Sequence, residues 1–97
     1  MDITVVELKE RLNNNESFNF LDVRREDEYE EFNLGAMLIP LHELPDRVEE
    51  IEDWKDQEVI VMCRSGNRSG QAQRFLESEG FTNVRNVIGG TLAWNEL

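Results

Sequence analysis

Apolar residues along the chain alternate between helical spacing and short continuous runs, and the alternation outlines its elements. Thr4-Val5-Val6-Glu7 reads as a capping box, with Val5, Leu8 and Leu12 on one face of the helix it opens. The run Asn13-Asn14-Asn15 ends that pattern, and Phe18 to Val23, rich in aromatic and branched residues, predicts a strand. A short acidic helix is expected over Glu26 to Phe32 with Tyr29 and Phe32 turned inward. Gly35 leads into a second strand, Ala36 to Ile39, stopped by Pro40, which lacks the N–H a ladder would use. Leu44, Val48 and Ile51 recur at i, i+4 and i+7, predicting an amphipathic helix from Glu43 to Trp54 with its acids facing water.

Val59-Ile60-Val61-Met62 differs in kind, because an apolar run without alternation suits a strand buried on both faces and central in a parallel sheet. Ala72, Phe75 and Leu76 then mark a helix that stops at Gly80, a natural left-handed terminator. Val84 to Val87 makes a last strand, Gly89-Gly90 a turn, and Thr91 to Leu97 a closing helix anchored by Leu92 and Trp94. Strands alternating with helices through short connections give an α/β fold of three layers: a mostly parallel sheet of four to five strands, flanked by helices. Ligands in such folds sit outside the carboxyl ends of the strands, where Cys63 falls.

At 97 residues, with 39% hydrophobic residues, six Gly and two Pro, the chain is expected to form one globular domain over residues 1–97. Ten Lys and Arg stand against 21 Asp and Glu, and the formal net charge of -11 argues against nucleic acid or an acidic membrane surface as a partner. The acidic pairs Glu30-Glu31 and Glu49-Glu50 read as solvated faces. No apolar run approaches the roughly 20 residues that span a bilayer, and the start carries no basic segment followed by an apolar stretch, so a cytoplasmic location is the default expectation. A single cysteine excludes an internal disulfide, a CxxC pair and a cysteine-rich zinc site, and no metal is expected. Cys63 is therefore either a buried small hydrophobe or a reactive thiol.

The segment after the central strand favours the second. In Cys63-Arg64-Ser65-Gly66-Asn67-Arg68-Ser69 the chain passes from strand to helix, leaving several N–H groups without internal partners, and the helix adds partial positive charge at its start. Amides converging on one point stabilise an anion, and Gly66 allows the convergence without a blocking side chain. A free thiol titrates near about 8.5, lowered to roughly 3.5–7.5 beside helix N-termini and cations, so with Arg64 and Arg68 adjacent the thiolate should be populated at neutral pH.

This strand, loop and helix resemble the active-site loop of the rhodanese family. Leu21-Asp22-Val23-Arg24 with Glu28-Tyr29 resembles that family's first signature, Gly35-Ala36 with Ile39-Pro40-Leu41 its second, and Gly89-Gly90 with Ala93-Trp94 its closing one. The resemblance spans nearly the whole chain. It implies sulfur transfer from a donor such as thiosulfate to a thiophilic acceptor, cyanide or a small or protein thiol, through a persulfide on Cys63, with no cofactor. It also implies that the loop from Arg64 through Ser65, Gly66, Asn67 and Arg68 to Ser69 binds the transferred sulfur and its donor. Relatives usually carry Gly-His-Ile-Pro-Gly-Ala where this chain has Glu31-Phe32-Asn33-Leu34-Gly35-Ala36, so altered packing is expected there.

Two rivals remain. A cysteine phosphatase loop places Arg six positions after its cysteine, but here that position is Ser69, and Arg68 comes one residue early. A low-turnover sulfur carrier or regulatory module is the other. Asp22 and Arg24 read as a structural ion pair, Arg68 as a cation able to pair with a carboxylate, His42 as a surface residue, and Trp54 and Trp94 as packing.

Overall fold

The computed structural model describes residues 1–97. Thr4 caps α1 (Val5–Asn13) as expected: its hydroxyl accepts from the Glu7 N–H at 3.1 Å while the Glu7 carboxylate accepts from the Thr4 N–H at 3.2 Å. Then follow β1 (Asn19–Asp22), α2 (Glu26–Glu31), β2 (Met37–Leu38), α3 (Leu44–Arg47), β3 (Glu58–Met62), α4 (Asn67–Ser78), β4 (Asn83–Asn86) and α5 (Gly90–Trp94). The four strands are all parallel, in the order β2-β1-β3-β4, and Ile3 adds an isolated parallel bridge to Val87 beyond β4. No helix is long and apolar enough to cross a membrane.

The sheet separates two apolar layers, and β3 feeds both. Val59, Val61 and Cys63 face one side with Leu44, Ile51, Ala72 and Leu76; Ile60 and Met62 face the other with Ile3, Val5, Leu8 and Val87. All four residues of the run Val59 to Met62 are fully buried, which is the condition that removes alternation from a strand. Trp54 and Trp94 pack against opposite layers.

Three expectations are corrected. The helix expected from Glu43 to Trp54 is broken: 3-10 turns at Leu41–Glu43 and Val48–Trp54 flank the single turn of α3. Pro45 sits in the first turn of α3, where its missing N–H costs nothing, and Ile51 leaves helical geometry at φ -118° and ψ 18°. Leu44 and Ile51 are nevertheless fully buried, so the spacing reported burial correctly and conformation incorrectly. Phe32 is 38% exposed rather than inward, because the chain turns extended there and α2 ends at Glu31. Leu92 is 43% exposed, so Ala93 rather than Leu92 joins the expected Trp94 in anchoring α5. The departure at Glu31 to Ala36 is a turn made by Asn33, whose side chain accepts from the Gly35 N–H and donates to the Tyr29 carbonyl.

Candidate active site

Beyond Met62 the chain must turn from the buried strand into α4, and it does so through Gly66 at φ 100°, a left-handed conformation that L side chains rarely adopt. The turn wraps the loop around the Cys63 side chain. The Gly66 N–H donates to Cys63 Sγ at 3.1 Å, and Ser69 Oγ lies 3.3 Å from the same sulfur. The sulfur is fully buried, and burial by itself pushes a thiol up; the Ser69 hydroxyl and the amides of Ser69, Gly66 and Ser65 outweigh it, so the Cys63 pKa lies below its ordinary value. The sequence expectation of a ring of main-chain donors thus meets a burial it did not include.

The loop is held from three directions. From α5, the Thr91 N–H donates to the Cys63 carbonyl and the Leu92 N–H to the Arg64 carbonyl, both at 3.0 Å. This close approach explains Gly90: a Cβ there would run into the Cys63 carbonyl oxygen and stand 2.6 Å from the Arg64 carbonyl carbon. From α2, Glu28 receives both arms of the Arg68 guanidinium at 2.6 and 3.0 Å, a bidentate pair that holds the Glu28 carboxyl down to about 2. From β4, Asn86 reaches the Gly66 carbonyl with Nδ2 at 3.0 Å and the Ser69 hydroxyl with Oδ1.

Asp22 and Arg24, read as an ion pair, are one. Both are buried, Arg24 donates through Nε and Nη2 to the Asp22 carboxylate, and Nη2 also donates to the Phe32 carbonyl at 2.6 Å. With Tyr29 donating its hydroxyl to the Ala36 carbonyl, this clasp fixes α2 beside the loop, and α2 in turn presents Glu28. Of the sequence-predicted residues, Gly66 and Ser69 meet the sulfur directly, while Arg68 is engaged by Glu28. Arg64, Ser65 and Asn67 are exposed. Arg64 lines a cavity of about 180 Å³ with Arg24, Glu28, Phe32, Thr91 and Asn95. Sequence reasoning missed Glu28 and Asn86 as neighbours of the site; each lies on another element, and neither carried a local signal of its contact with the loop. No cluster of three or more His, Cys, Asp or Glu side chains could hold a metal ion.

Comparison with known proteins bears on this geometry. The family described as Rhodanese-like domain matches residues 4–97. A sulfurtransferase of Allochromatium vinosum is 38% identical over 88 residues, covering 90% of this chain and 80% of its own. The thiosulfate sulfurtransferase PspE of Escherichia coli is 36% identical over 72 residues, 73% of this chain and 69% of its own. This chain spans only half of a sulfur carrier protein of Bacillus subtilis that it matches at 36% identity, and 21% of an adenylyltransferase and sulfurtransferase of Zea mays. A rhodanese-like domain protein of Staphylococcus aureus superposes with a TM-score of 0.85 at 32% identity, covering 97% of this chain and 91% of its own.

Proposed function

Because this chain belongs to the rhodanese-like domain family, and its relatives at about 35% identity are named sulfurtransferases, we propose that it transfers sulfane sulfur through a persulfide on Cys63. The observation that carries this reading is the convergence of the Gly66 amide and the Ser69 hydroxyl on one buried sulfur.

In the first half-reaction the Cys63 thiolate attacks the outer sulfur of a donor such as thiosulfate. A new S–S bond forms, the donor's own S–S bond breaks, and sulfite leaves with the bonding pair. The negative charge now rests on the terminal sulfur of the persulfide, within reach of the loop amides. In the second, an acceptor such as cyanide or a thiol attacks that terminal sulfur, the Cys63 to sulfur bond breaks, and its electron pair returns to Cys63 as thiolate. No other cysteine is present in the chain, so the acceptor is an external molecule. Arg64, exposed at the rim and in no ion pair, is the residue suited to drawing in an anionic donor. Since Cys63 is fully covered, a donor reaches it only when loop or rim side chains shift, and that step is a natural place for selectivity.

The phosphatase alternative is weaker still with Arg68 taken by Glu28, and no appreciable turnover of p-nitrophenyl phosphate is expected. The decisive experiment is mass spectrometry of the intact protein after thiosulfate treatment. An addition of about 32 Da on Cys63, removed by cyanide or thiols, is expected. Loading without repeated turnover would recast the protein as a carrier, and no loading by any of several donors would overturn the reading.

A further inference from the structure

Asn86 stands at the end of β4, outside the loop that carries the chemistry, yet it touches that loop twice. Its orientation is settled by chemistry. The Gly66 carbonyl oxygen can only accept, so the group facing it at 3.0 Å is the amide nitrogen, and Oδ1 is left facing Ser69 Oγ. Both Gly66 and Gly70 lie alongside the Asn86 amide, at distances where even an added Cβ would meet Nδ2 only in ordinary contact, 3.9 and 3.5 Å. From behind, the Asn86 N–H donates to the Asp2 carboxylate at 3.1 Å and its carbonyl accepts from the Ile3 N–H at 3.0 Å, which leaves the residue no freedom to withdraw.

Ser69 has one hydroxyl proton and two claimants for it, Asn86 Oδ1 and Cys63 Sγ. When Cys63 is a thiol, both claims are met in series: S–H donates to Ser69 Oγ, and Ser69 O–H donates to Asn86. When Cys63 is a thiolate, the hydroxyl must turn to the sulfur, and Asn86 Oδ1, which has no other donor, loses its partner. We propose that Asn86 is a positioning residue of the sulfur site, which by holding the single Ser69 proton sets how far that hydroxyl is free to serve the Cys63 sulfur. The inference deepens the sulfur-transfer reading and rests on it for its biological meaning.

The other charged groups near the sulfur are paired with one another or exposed. Arg68 from α4 is paired with Glu28 from α2, which holds its charge down to about 2; Asp22 and Arg24 at the end of β1 are paired with each other; Arg64 is exposed; β4 presents the neutral Asn86, and α5 approaches through the main chain at Thr91.

The test is the pH dependence of Cys63 alkylation by iodoacetamide in the otherwise native protein. Ser69→Ala should raise the midpoint by about one to two pH units, since a hydrogen bond to the charged form is lost. Asn86→Ala should lower it by about half a unit to one unit, because the hydroxyl is released to the sulfur. The double variant should titrate like Ser69→Ala alone. A midpoint unmoved or raised in Asn86→Ala, or moved equally in both backgrounds, would show that Asn86 acts by bracing the amides and sink the proposal. In the unsubstituted protein, the Asn86 carboxamide resonances should follow the Cys63 midpoint in an NMR titration and stop doing so in Ser69→Ala; flat resonances, or ones indifferent to that change, would also overturn it. These measurements read the bare thiol, so a failure of Cys63 to take up sulfur would remove the sulfur-transfer reading without deciding this one.

Discussion

The two ends of the central strand handle negative charge in opposite ways. At the amino end Glu58 opens β3, with Arg11 from α1 donating to it at 2.6 and 2.9 Å and Arg85 from β4 at 2.8 Å. There the anion is a carboxylate, and cationic side chains neutralise it at a partly exposed edge. At the carboxyl end the charge is that of a thiol, present only while Cys63 is deprotonated. The groups that touch it are an uncharged amide and a hydroxyl, and Arg68, further along the same loop, is already committed to Glu28. The difference teaches what each arrangement is good for. Opposite charges fasten two elements together but would bind a reacting anion in one state, whereas fixed dipoles stabilise charge at a point without forming a pair that has to be broken.

Five substitutions, two of them followed across pH, test that contrast. Cys63→Ser should retain the fold and reduce sulfur transfer to the uncatalysed background, because a hydroxyl is a poor nucleophile at neutral pH; a thiosulfate:cyanide assay beside circular dichroism checks both halves. Gly90→Ala places a methyl group against the Cys63 and Arg64 main chain in a backbone at φ +56°, so the loop must move. Transfer should fall by at least about tenfold, on the scale at which a displacement of roughly 1 Å costs an enzyme some hundredfold. Arg24→Met strands the fully buried Asp22 carboxylate and should cost about 3–5 kcal/mol by denaturant unfolding.

The titration follows Glu28 and Cys63. Glu28 has a folded pKa of about 2, below its unfolded value, so its contribution to stability is complete above the ordinary carboxylate range and is lost as pH falls toward 2. Glu28→Gln should flatten the stability profile across that window. The Cys63 pKa is likewise depressed, so its contribution is present above the ordinary thiol range and lost as pH falls through the folded value. Cys63→Ser should therefore lose stability relative to the parent more at alkaline than at acidic pH. The smallest effect belongs to the amino end: Glu58→Gln should cost about 1 kcal/mol or less and leave sulfur transfer unchanged. A marked loss of transfer in that variant would mean the two ends are coupled and the contrast drawn here is wrong.

Much of this was legible in the residues. The unbroken apolar run before Cys63 located the buried strand, and Gly66 between polar neighbours announced a strand-to-helix turn with free amides. Local spacing failed where conformation and burial part company, as at Ile51, which keeps its place in the core while leaving the helix. It failed too for contacts made across long stretches of chain. Nothing near Gly90 tells that its missing side chain makes room for the main chain of residues 63 and 64, and nothing near Asn86 reveals two bonds to the loop. Asp22 and Arg24, two residues apart at the bend that closes β1, were readable as a pair because opposite charges so near in sequence are within reach of each other.

One consequence reaches back to how the protein is made. All four strands run the same way, and the surroundings of Cys63 are completed by Asn86 and by the main chain of Thr91 and Leu92, more than twenty residues downstream. During synthesis the thiol therefore emerges before the partners that clamp its loop. A chain stalled or truncated between those points would present Cys63 as an ordinary cysteine, without the clamped loop that lowers its pKa in the finished molecule.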